Sequence, residues 1–395
     1  MTNDRIIRWG WVLAWSIGGI AVVTAVYAAW RSFVTTPGID FVSFWAAGRL
    51  AIDHKAVLAY DLQAHRATEL TFVHLPGLMP FAYPPPFLLL VTPFGLFSFR
   101  FAFAAWQIVT GAFYLVATRR RAPLPTSIVL PPVFPNALVG QNGFLFTGIF
   151  AWALEALQER PFVGGMLFGC FVLKPQLAPL IPVALVAARA WRPFTGAALS
   201  STLLLLAGLV AFGSDSYLAW ARMMTEFGHF VLQGSWPWTE MASVFAFCRF
   251  FGMAQRLAFV MQLIAAGAAA IVTWRAWSSN WEARGAVLAA ATILVPPYLF
   301  TYDALLLIVP FAWLLRRGER RFALLVWVAC LPAVLFYFHL YVGPNTVPIA
   351  AILCVARIAR VSSLESKSES HRVEAIQAQS LARASARRRR ARQPE

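Results

Sequence analysis

Long apolar segments follow one another along almost the whole chain, and this pattern constrains the fold more than any other feature. Hydrophobic residues make up 59% of the 395 residues and charged residues only 13%, whereas a typical soluble domain has about 25% charged residues. A helix needs about 20 apolar residues to cross a bilayer, and its backbone hydrogen bonds must be satisfied within the segment. The sequence therefore predicts an all-α integral membrane protein and excludes a water-soluble fold.

Hydropathy predicts a polytopic protein with about twelve transmembrane helices. The predicted spans are 9–30, 100–118, 124–139, 142–157, 161–174, 176–190, 194–213, 254–276, 284–300, 302–315, 321–341 and 344–357. The run from Trp9 to Trp30 is too long for a cleaved signal peptide, so we expect it to remain as the first helix. The segment from Tyr83 to Phe99 is short and opens with three prolines, which favours an interfacial or re-entrant piece on the external side.

The basic residues set the expected topology. The formal net charge is +16, but the basic residues sit in short clusters between apolar segments and in the tail, which favours topology signals over nucleic-acid binding. The clusters at 119–121, 189–192 and 316–321 are predicted to face the cytoplasm, together with both termini. Residues 1–357 then form the membrane domain, and the Ala-, Ser- and Arg-rich residues 358–395 form a disordered cytoplasmic tail.

Two external loops are predicted from this topology. The first covers 31–99 and is large for so compact a protein, which indicates a functional loop. It should contain an amphipathic helix lying along the membrane, since Phe41, Phe44, Trp45, Gly48, Leu50 and Ala51 share one helical face. The second loop covers about 213–251 and is rich in tryptophan, which suits the membrane interface.

Asp40 and Lys174 are the ionisable residues that most need an explanation, because charge is costly near the membrane. Asp40 precedes the predicted amphipathic helix, where it suits an N-cap, and this position is compatible with a role as general base. Lys174 stands before Pro175 at the external end of a span, where it either snorkels to the interface or binds a lipid phosphate.

Further polar residues gather on the same predicted surface. Gln141 and Asn142 occupy an external turn, Tyr302 and Asp303 open a later helix, and His339 ends another. Asp303 is again a possible helix cap. The cysteines lack the spacing of a metal site or a disulfide framework, and the sequence predicts neither metal nor cofactor.

An ordered set of short motifs resembles glycosyltransferase family 87, whose members include mannosyltransferases that use polyprenyl-phosphate mannose. The motifs run from Asp40 through Arg49, then Tyr60-Asp61, then Phe81 to Pro85, then Gly140 to Asn142, and finally Gly169 to Pro175, within residues 9–320. The resemblance implies the C-type membrane glycosyltransferase architecture, with Asp40 as general base at the start of the first external loop. It also implies that the segment opening at Tyr83 lies beside the lipid donor.

The resemblance leaves open whether a second carboxylate assists Asp40. Many C-type enzymes pair two adjacent acids, whereas Phe41 follows Asp40 here, and the nearest acids in the loop are Asp53 and Asp61.

We therefore expect an inverting hexosyltransferase in the plasma (inner) membrane, with its active site on the external or periplasmic face. It would move a hexose, mannose first among candidates, from a polyprenyl phosphate to a hydroxyl of a glycan or glycolipid. Lys174 and Arg49 would stabilise the departing phosphate, with Tyr83 beside the donor. Two alternatives remain from the sequence, namely a lipid or solute transporter and a non-catalytic membrane assembly partner.

Overall fold

The structure, a computed structural model, describes residues 7–20, 23, 27, 40–72, 79–234, 237–337 and 340–363. This part of the chain is helical, with turns and one isolated β-bridge, as the all-α prediction required. The α-helices are α1 (7–20), α2 (Phe41–Ile52), α3 (Leu62–Leu70), α4 (Pro86–Gly95), α5 (Phe99–Thr118), α6 (Leu124–Val129), α7 (Val133–Val139), α8 (Gly143–Glu159), α9 (Pro161–Gly169), α10 (Leu180–Ala187), α11 (Trp191–Leu232), α12 (Val244–Phe250), α13 (Gln255–Ser278), α14 (Arg284–Ile293), α15 (Ile308–Arg316), α16 (Arg320–Cys330), α17 (Pro332–Tyr337) and α18 (347–363). Short 3₁₀ helices cover Ala56–Tyr60, Cys170–Leu173, Pro175–Leu177 and Thr301–Leu307.

Four helical stretches among the described residues are long and apolar enough to cross a membrane. They are α5, α11, α13 and the stretch Arg320–Tyr337, which contains α16 and α17. The twelve spans stay a prediction. Several of them are divided in the structure at prolines, as between α6 and α7, where Pro131 and Pro132 interrupt the segment 124–139.

The predicted external loop at 213–251 starts where the structure bends, but its first half is helical. The external position of these residues stays a prediction. Helix α11 continues to Leu232, and the chain changes direction inside it at Gly213, whose φ of 75° and ψ of 166° are not helical. Because glycine adopts positive φ at no steric cost, the chain turns at this position without a loop. Helix α18 continues to residue 363, past the predicted boundary at 358, and the division into a membrane domain and a tail stays a prediction.

Helix α2 does not lie along the surface as an amphipathic helix. Ten of its twelve residues are buried, on all sides and not only on the apolar face that the sequence indicated. It packs against α4 at a close contact between Gly48 and Gly95, where a Cβ on either residue would collide with the backbone of the other helix. Because both contact residues are glycines, the two helices can approach closely, and α2 packs deep in the core.

Helix α4 is too short to cross the membrane on its own. Its ten residues extend about 15 Å, roughly half of a 30 Å hydrocarbon core. This length agrees with the interfacial or re-entrant piece expected between Tyr83 and Phe99.

The two ends of α5 mark two separate regions of the protein. At its N-terminal end, Phe99 packs against Phe41 and Trp45 of α2, with ring centroids 5.6 and 5.8 Å apart. Its C-terminal end leads into Arg119 to Arg121. Twenty helical residues span about 30 Å, so the region around Asp40 and the arginine cluster lie near opposite ends of a helix of membrane length.

Candidate functional site

Asp40 is held in place by its backbone, and its carboxylate does not cap α2. The backbone N–H of Asp40 donates to the carbonyl of Val139 at 3.1 Å, which joins the start of α2 to the end of α7. Although Asp40 occupies the N-cap position, its side chain makes no capping hydrogen bond. By contrast, Asp61 caps α3, accepting from the N–H groups of Gln63 and Ala64 at 3.0 and 2.8 Å.

A hydrogen-bonded chain links Asp40 to two other residues that the sequence singled out. The side-chain amide of Gln141 donates to Asp40 Oδ2 at 2.9 Å. The Tyr83 hydroxyl in turn donates to Gln141 Oε1 at 3.1 Å. The turn that carries Gln141 depends on Gly140, whose φ is 78° and which any side chain would strain. Gln141 therefore orients the Asp40 carboxylate.

Lys174 is buried, so the interpretation of a lysine snorkelling to the interface is wrong. Its side chain is 1% exposed and that of its ion-pair partner Asp303 is 2% exposed. The Lys174 ammonium donates to Asp303 Oδ1 and, at 2.6 Å, to Asn142 Oδ1. Asp303 is therefore an ion-pair partner and makes no helix cap. Two of the three donors of Lys174 are used within the protein.

Aromatic rings separate Lys174 from the open space in front of Asp40. Its Nζ atom lies 5.0 Å from the ring centroid of Tyr302, 5.5 Å from that of Phe146 and 6.0 Å from that of Tyr83. Distances of up to about 6 Å stabilise a cation over a ring face. Lys174 thus contacts the rings of Tyr83 and Tyr302 on the side away from the cavity and helps to hold them in place.

A cavity opens in front of Asp40, and we call it the Asp40 cavity. It is lined by Asp40, Ser43, Phe44, Met79, Pro80, Ala82, Tyr83, Gln141, Gln176, Phe227, Glu240, Tyr298, Phe300, Tyr302 and Tyr337. Four tyrosines, two glutamine side chains and two carboxylates face one aromatic-walled space. Such a combination of apolar walls and a few polar groups is typical of a ligand site.

Glu240 lines the cavity but was not assigned to the site from the sequence, and the same holds for Gln176, Tyr298 and Tyr337. Glu240 lies far from Asp40 in the sequence, and the backbone brings it into the cavity wall. Met241 pairs with Phe300 in an isolated antiparallel bridge, and the Thr301 N–H donates to the Glu240 carbonyl at 3.1 Å. The position of Glu240 just after Trp236 and Trp238 in the sequence was the available signal, but only the tertiary bridge brings this acid to the cavity.

Burial raises the pKa of Asp40 from 3.8 to about 7. The hydrogen bond from Gln141 favours the ionised form and opposes this shift, whereas the charge of Glu240 adds to it. A carboxyl group that titrates near neutral pH is suited to accept a proton during catalysis, because a base works best when its pKa is near the operating pH.

A buried polar cluster supports the wall beside Asp40. The Ser43 hydroxyl lies 3.2 Å from His65 Nε2, and the same nitrogen lies 3.4 Å from a Glu69 oxygen. Arg66 contacts the other Glu69 oxygen at 3.3 Å. The contact between Ser43 and His65 joins α2 to α3 next to the cavity wall.

Not every residue predicted for the site lines the Asp40 cavity. Lys174, Asn142 and Asp303 lie outside its lining, and Arg49 points elsewhere. Arg49 lies nine residues along α2 from Asp40, and its guanidinium donates to the Gly95 carbonyl at 3.2 Å, away from the cavity. Asp53, considered as a second acid, follows the end of α2 on the surface. His339 lies outside the described residues. Within the described ranges, no three His, Cys, Asp or Glu side chains come together as a metal site.

Comparison with known families identifies the chain. No curated protein and no solved structure matches it significantly. The model of glycosyltransferase family 87 matches residues 81–297, more than half of the chain, and the match confirms the resemblance seen in the sequence motifs. The matched range contains Tyr83, Gln141, Asn142 and Lys174, whereas Asp40 precedes it and Asp303 follows it. The chain belongs to glycosyltransferase family 87.

Proposed function

We propose that this protein transfers a hexose, with mannose as first candidate, from a polyprenyl phosphate to an acceptor hydroxyl at the external face of the membrane. Membership of family 87 implies a membrane glycosyltransferase. It favours transfer over the transporter and the assembly partner that the sequence left open. The single observation that carries the proposed chemistry is the Asp40 carboxylate, which is oriented by Gln141, does not cap its helix and opens on a cavity.

Asp40 acts as the general base in one displacement step. The acceptor hydroxyl gives its proton to the Asp40 carboxylate while its oxygen forms a bond to the anomeric carbon. The bond from that carbon to the phosphate oxygen breaks at the same time, and the electron pair leaves with the polyprenyl phosphate. Because the acceptor attacks opposite the leaving group, the anomeric configuration inverts.

The lipid donor is supported by an apolar groove beside the Asp40 cavity. This groove has a volume of about 350 Å³, and apart from Thr225 its lining is apolar or aromatic. Phe227 and Tyr298 line both the groove and the Asp40 cavity. A prenyl chain in the groove would therefore place its phosphate next to the polar residues of the cavity.

The contacts of Lys174 support a positioning role for this residue in the proposed reaction. Its ammonium is neutralised by Asp303 and holds the Asn142 side chain and the Tyr83 and Tyr302 rings. The hydroxyls of Tyr298, Tyr302 and Tyr337 supply donors for the phosphate oxygens, since the hydroxyl of Tyr83 already donates to Gln141. Arg49, which lies outside the cavity, has no part in phosphate binding in this arrangement.

The donor assignment is tested with purified protein in liposomes. We expect transfer with polyprenyl-phosphate mannose and an inverted anomer in the product, determined by NMR. GDP-mannose or UDP-glucose alone should give no product, since neither carries a chain for the groove. Turnover of either nucleotide sugar without lipid carrier would refute the donor assignment, and a product of retained configuration would refute the single displacement.

A further inference from the structure

A second polar cavity lies at the end of α5 opposite to Asp40. Its volume is about 190 Å³, compared with about 30 Å³ for one water molecule. Ends of five helices, distant in sequence, meet around it. Its polar and aromatic lining consists of Arg121, Gln158, Trp277, Glu282, Arg284, Trp313 and Arg316, and we call this cavity the arginine pocket.

The arginines of this pocket lack the acidic partners that their neighbours have. Arg120 and Arg317 each form an ion pair with a glutamate. In the part of the chain that the structure describes, no carboxylate lies within 4 Å of Arg121, Arg284 or Arg316. Burial and the charge of Arg316 lower the pKa of Arg121, and the charge of Glu155 opposes this shift. The acid of the pocket lining, Glu282, forms its ion pair with Arg317. Three arginines therefore face the pocket against one carboxylate, and the lining carries a net positive charge.

Contacts within the protein hold these arginines in place around the pocket. Arg316 donates to the backbone carbonyl of Arg121, and Arg121 donates to that of Ala151 at 3.4 Å. Arg284 stacks over Trp277, with 5.1 Å between its guanidinium carbon and the ring centroid. Fixed guanidinium groups match the geometry of phosphate oxygens better than lysines do.

The tryptophan residues indicate the surroundings of the ligand. Trp277 and Trp313 both line the pocket, and tryptophan is enriched where membrane and water meet. The Trp313 indole N–H is buried and has no acceptor among the described residues. A ligand that offers both an acceptor oxygen and negative charge would complete this environment.

We propose that the arginine pocket binds the phosphate of an anionic phospholipid from the cytoplasmic leaflet. The positive-inside rule predicts that the loops after α5 and α15 face the cytoplasm, and basic pockets between helix ends on that side are suited to anionic head groups. The site lies a helix length from the Asp40 cavity, so the bound lipid is neither the sugar donor nor the acceptor.

Lipid binding is measured on the purified full-length protein after delipidation, by native mass spectrometry with phosphatidylglycerol, cardiolipin and phosphatidylcholine. We expect retention of the two anionic lipids and little of phosphatidylcholine. Arg284→Gln should weaken retention about tenfold or more, as the loss of a charge-assisted contact requires. Arg192→Gln is the matched control, because Arg192 is exposed on the same predicted side and does not line the pocket.

A second measurement does not depend on a variant that folds. A photoreactive phosphatidylglycerol added to the parental protein should crosslink to peptides that contain Trp277 or Trp313. Crosslinking confined to other peptides, or equal retention by the Arg284 and Arg192 variants, would overturn the proposal. Protection from crosslinking by inorganic phosphate alone at millimolar concentration would assign the pocket to a soluble anion and also overturn it.

Discussion

The Gln141 side-chain amide donates to the Asp40 carboxylate at 2.9 Å, across 101 positions of sequence. This contact turns the carboxylate away from the amides of its own helix. Because the amide oxygen of Gln141 also accepts from Tyr83, the orientation of Gln141 is fixed at both ends. The predictions below follow from the environment that these contacts create.

The transfer rate should fall on the acidic side of neutrality. Protonated Asp40 cannot accept the acceptor proton, and its pKa is about 7, so the ionised fraction falls about tenfold for each pH unit well below that value. We expect kcat/KM to reach a plateau above about pH 8 and to decline below pH 7. A profile of kcat/KM between pH 5 and 9 measures this, and a flat profile down to pH 5 would show that no base titrates near neutrality.

Replacement of Glu240 should move this acidic limb. The charge of Glu240 raises the pKa of Asp40, so Glu240→Gln stabilises the ionised form of Asp40 and shifts the limb to lower pH. Glu226→Gln changes the net charge equally, but Glu226 is exposed and does not line the Asp40 cavity. Identical pH profiles for the two variants would remove Glu240 from the electrostatics of the site.

The Lys174 and Asp303 side chains should behave as a coupled buried pair. Lys174→Met leaves Asp303 without its cation, and breaking a buried pair in this way typically costs about 3–5 kcal/mol of unfolding free energy. The double variant Lys174→Met with Asp303→Leu should recover most of that loss. Thermal unfolding in detergent of the parental protein, the single variants Lys174→Met and Asp303→Leu, and the double variant measures the coupling. If the stability loss of the double variant equals the sum of the two single losses, the coupling is contradicted.

The same double variant separates two roles of Lys174. A positioning residue acts through its neighbours, so the double variant should bind the lipid donor more tightly than Lys174→Met alone. A direct phosphate ligand would leave both variants equally weak for the donor. The apparent KM for polyprenyl-phosphate mannose distinguishes the two roles.

Opposite membrane faces are expected for the two ends of α5. In a background without native cysteines, a cysteine at Arg120 should react with an impermeant reagent only from the cytoplasmic side. A cysteine at Leu96, which is exposed just after α4, should react only from the external side. Labelling of both positions from one side would contradict the topology and the external active site.

The sequence predicted the helical class and much of the site, because both depend on local or compositional signals. Apolar segments predict helices in a membrane, and Asp40, Tyr83 and Gln141 stand out as polar groups that such segments do not require. The family resemblance was carried by the same short motifs. These residues do meet at one cavity.

The remaining features depend on tertiary contacts that sequence patterns do not encode. Arg49 shares a helix with Asp40, but the contact of Gly48 with α4 directs its side chain to Gly95. Glu240 reaches the cavity only through the bridge between Met241 and Phe300. The burial of Lys174 follows from Asp303, which lies 129 positions away.

The most direct test of the account is the single-turnover rate of sugar transfer by Asp40→Asn in liposomes with polyprenyl-phosphate mannose. Asparagine keeps the size of the side chain and can still accept from Gln141, but it cannot take a proton. We expect a rate about 10²- to 10⁴-fold below that of the parental protein. Asp61→Ala, which removes a true helix cap, should lower thermal stability and leave the transfer rate close to parental. Transfer by a folded Asp40→Asn protein at the parental rate would contradict the assignment of Asp40 as the base.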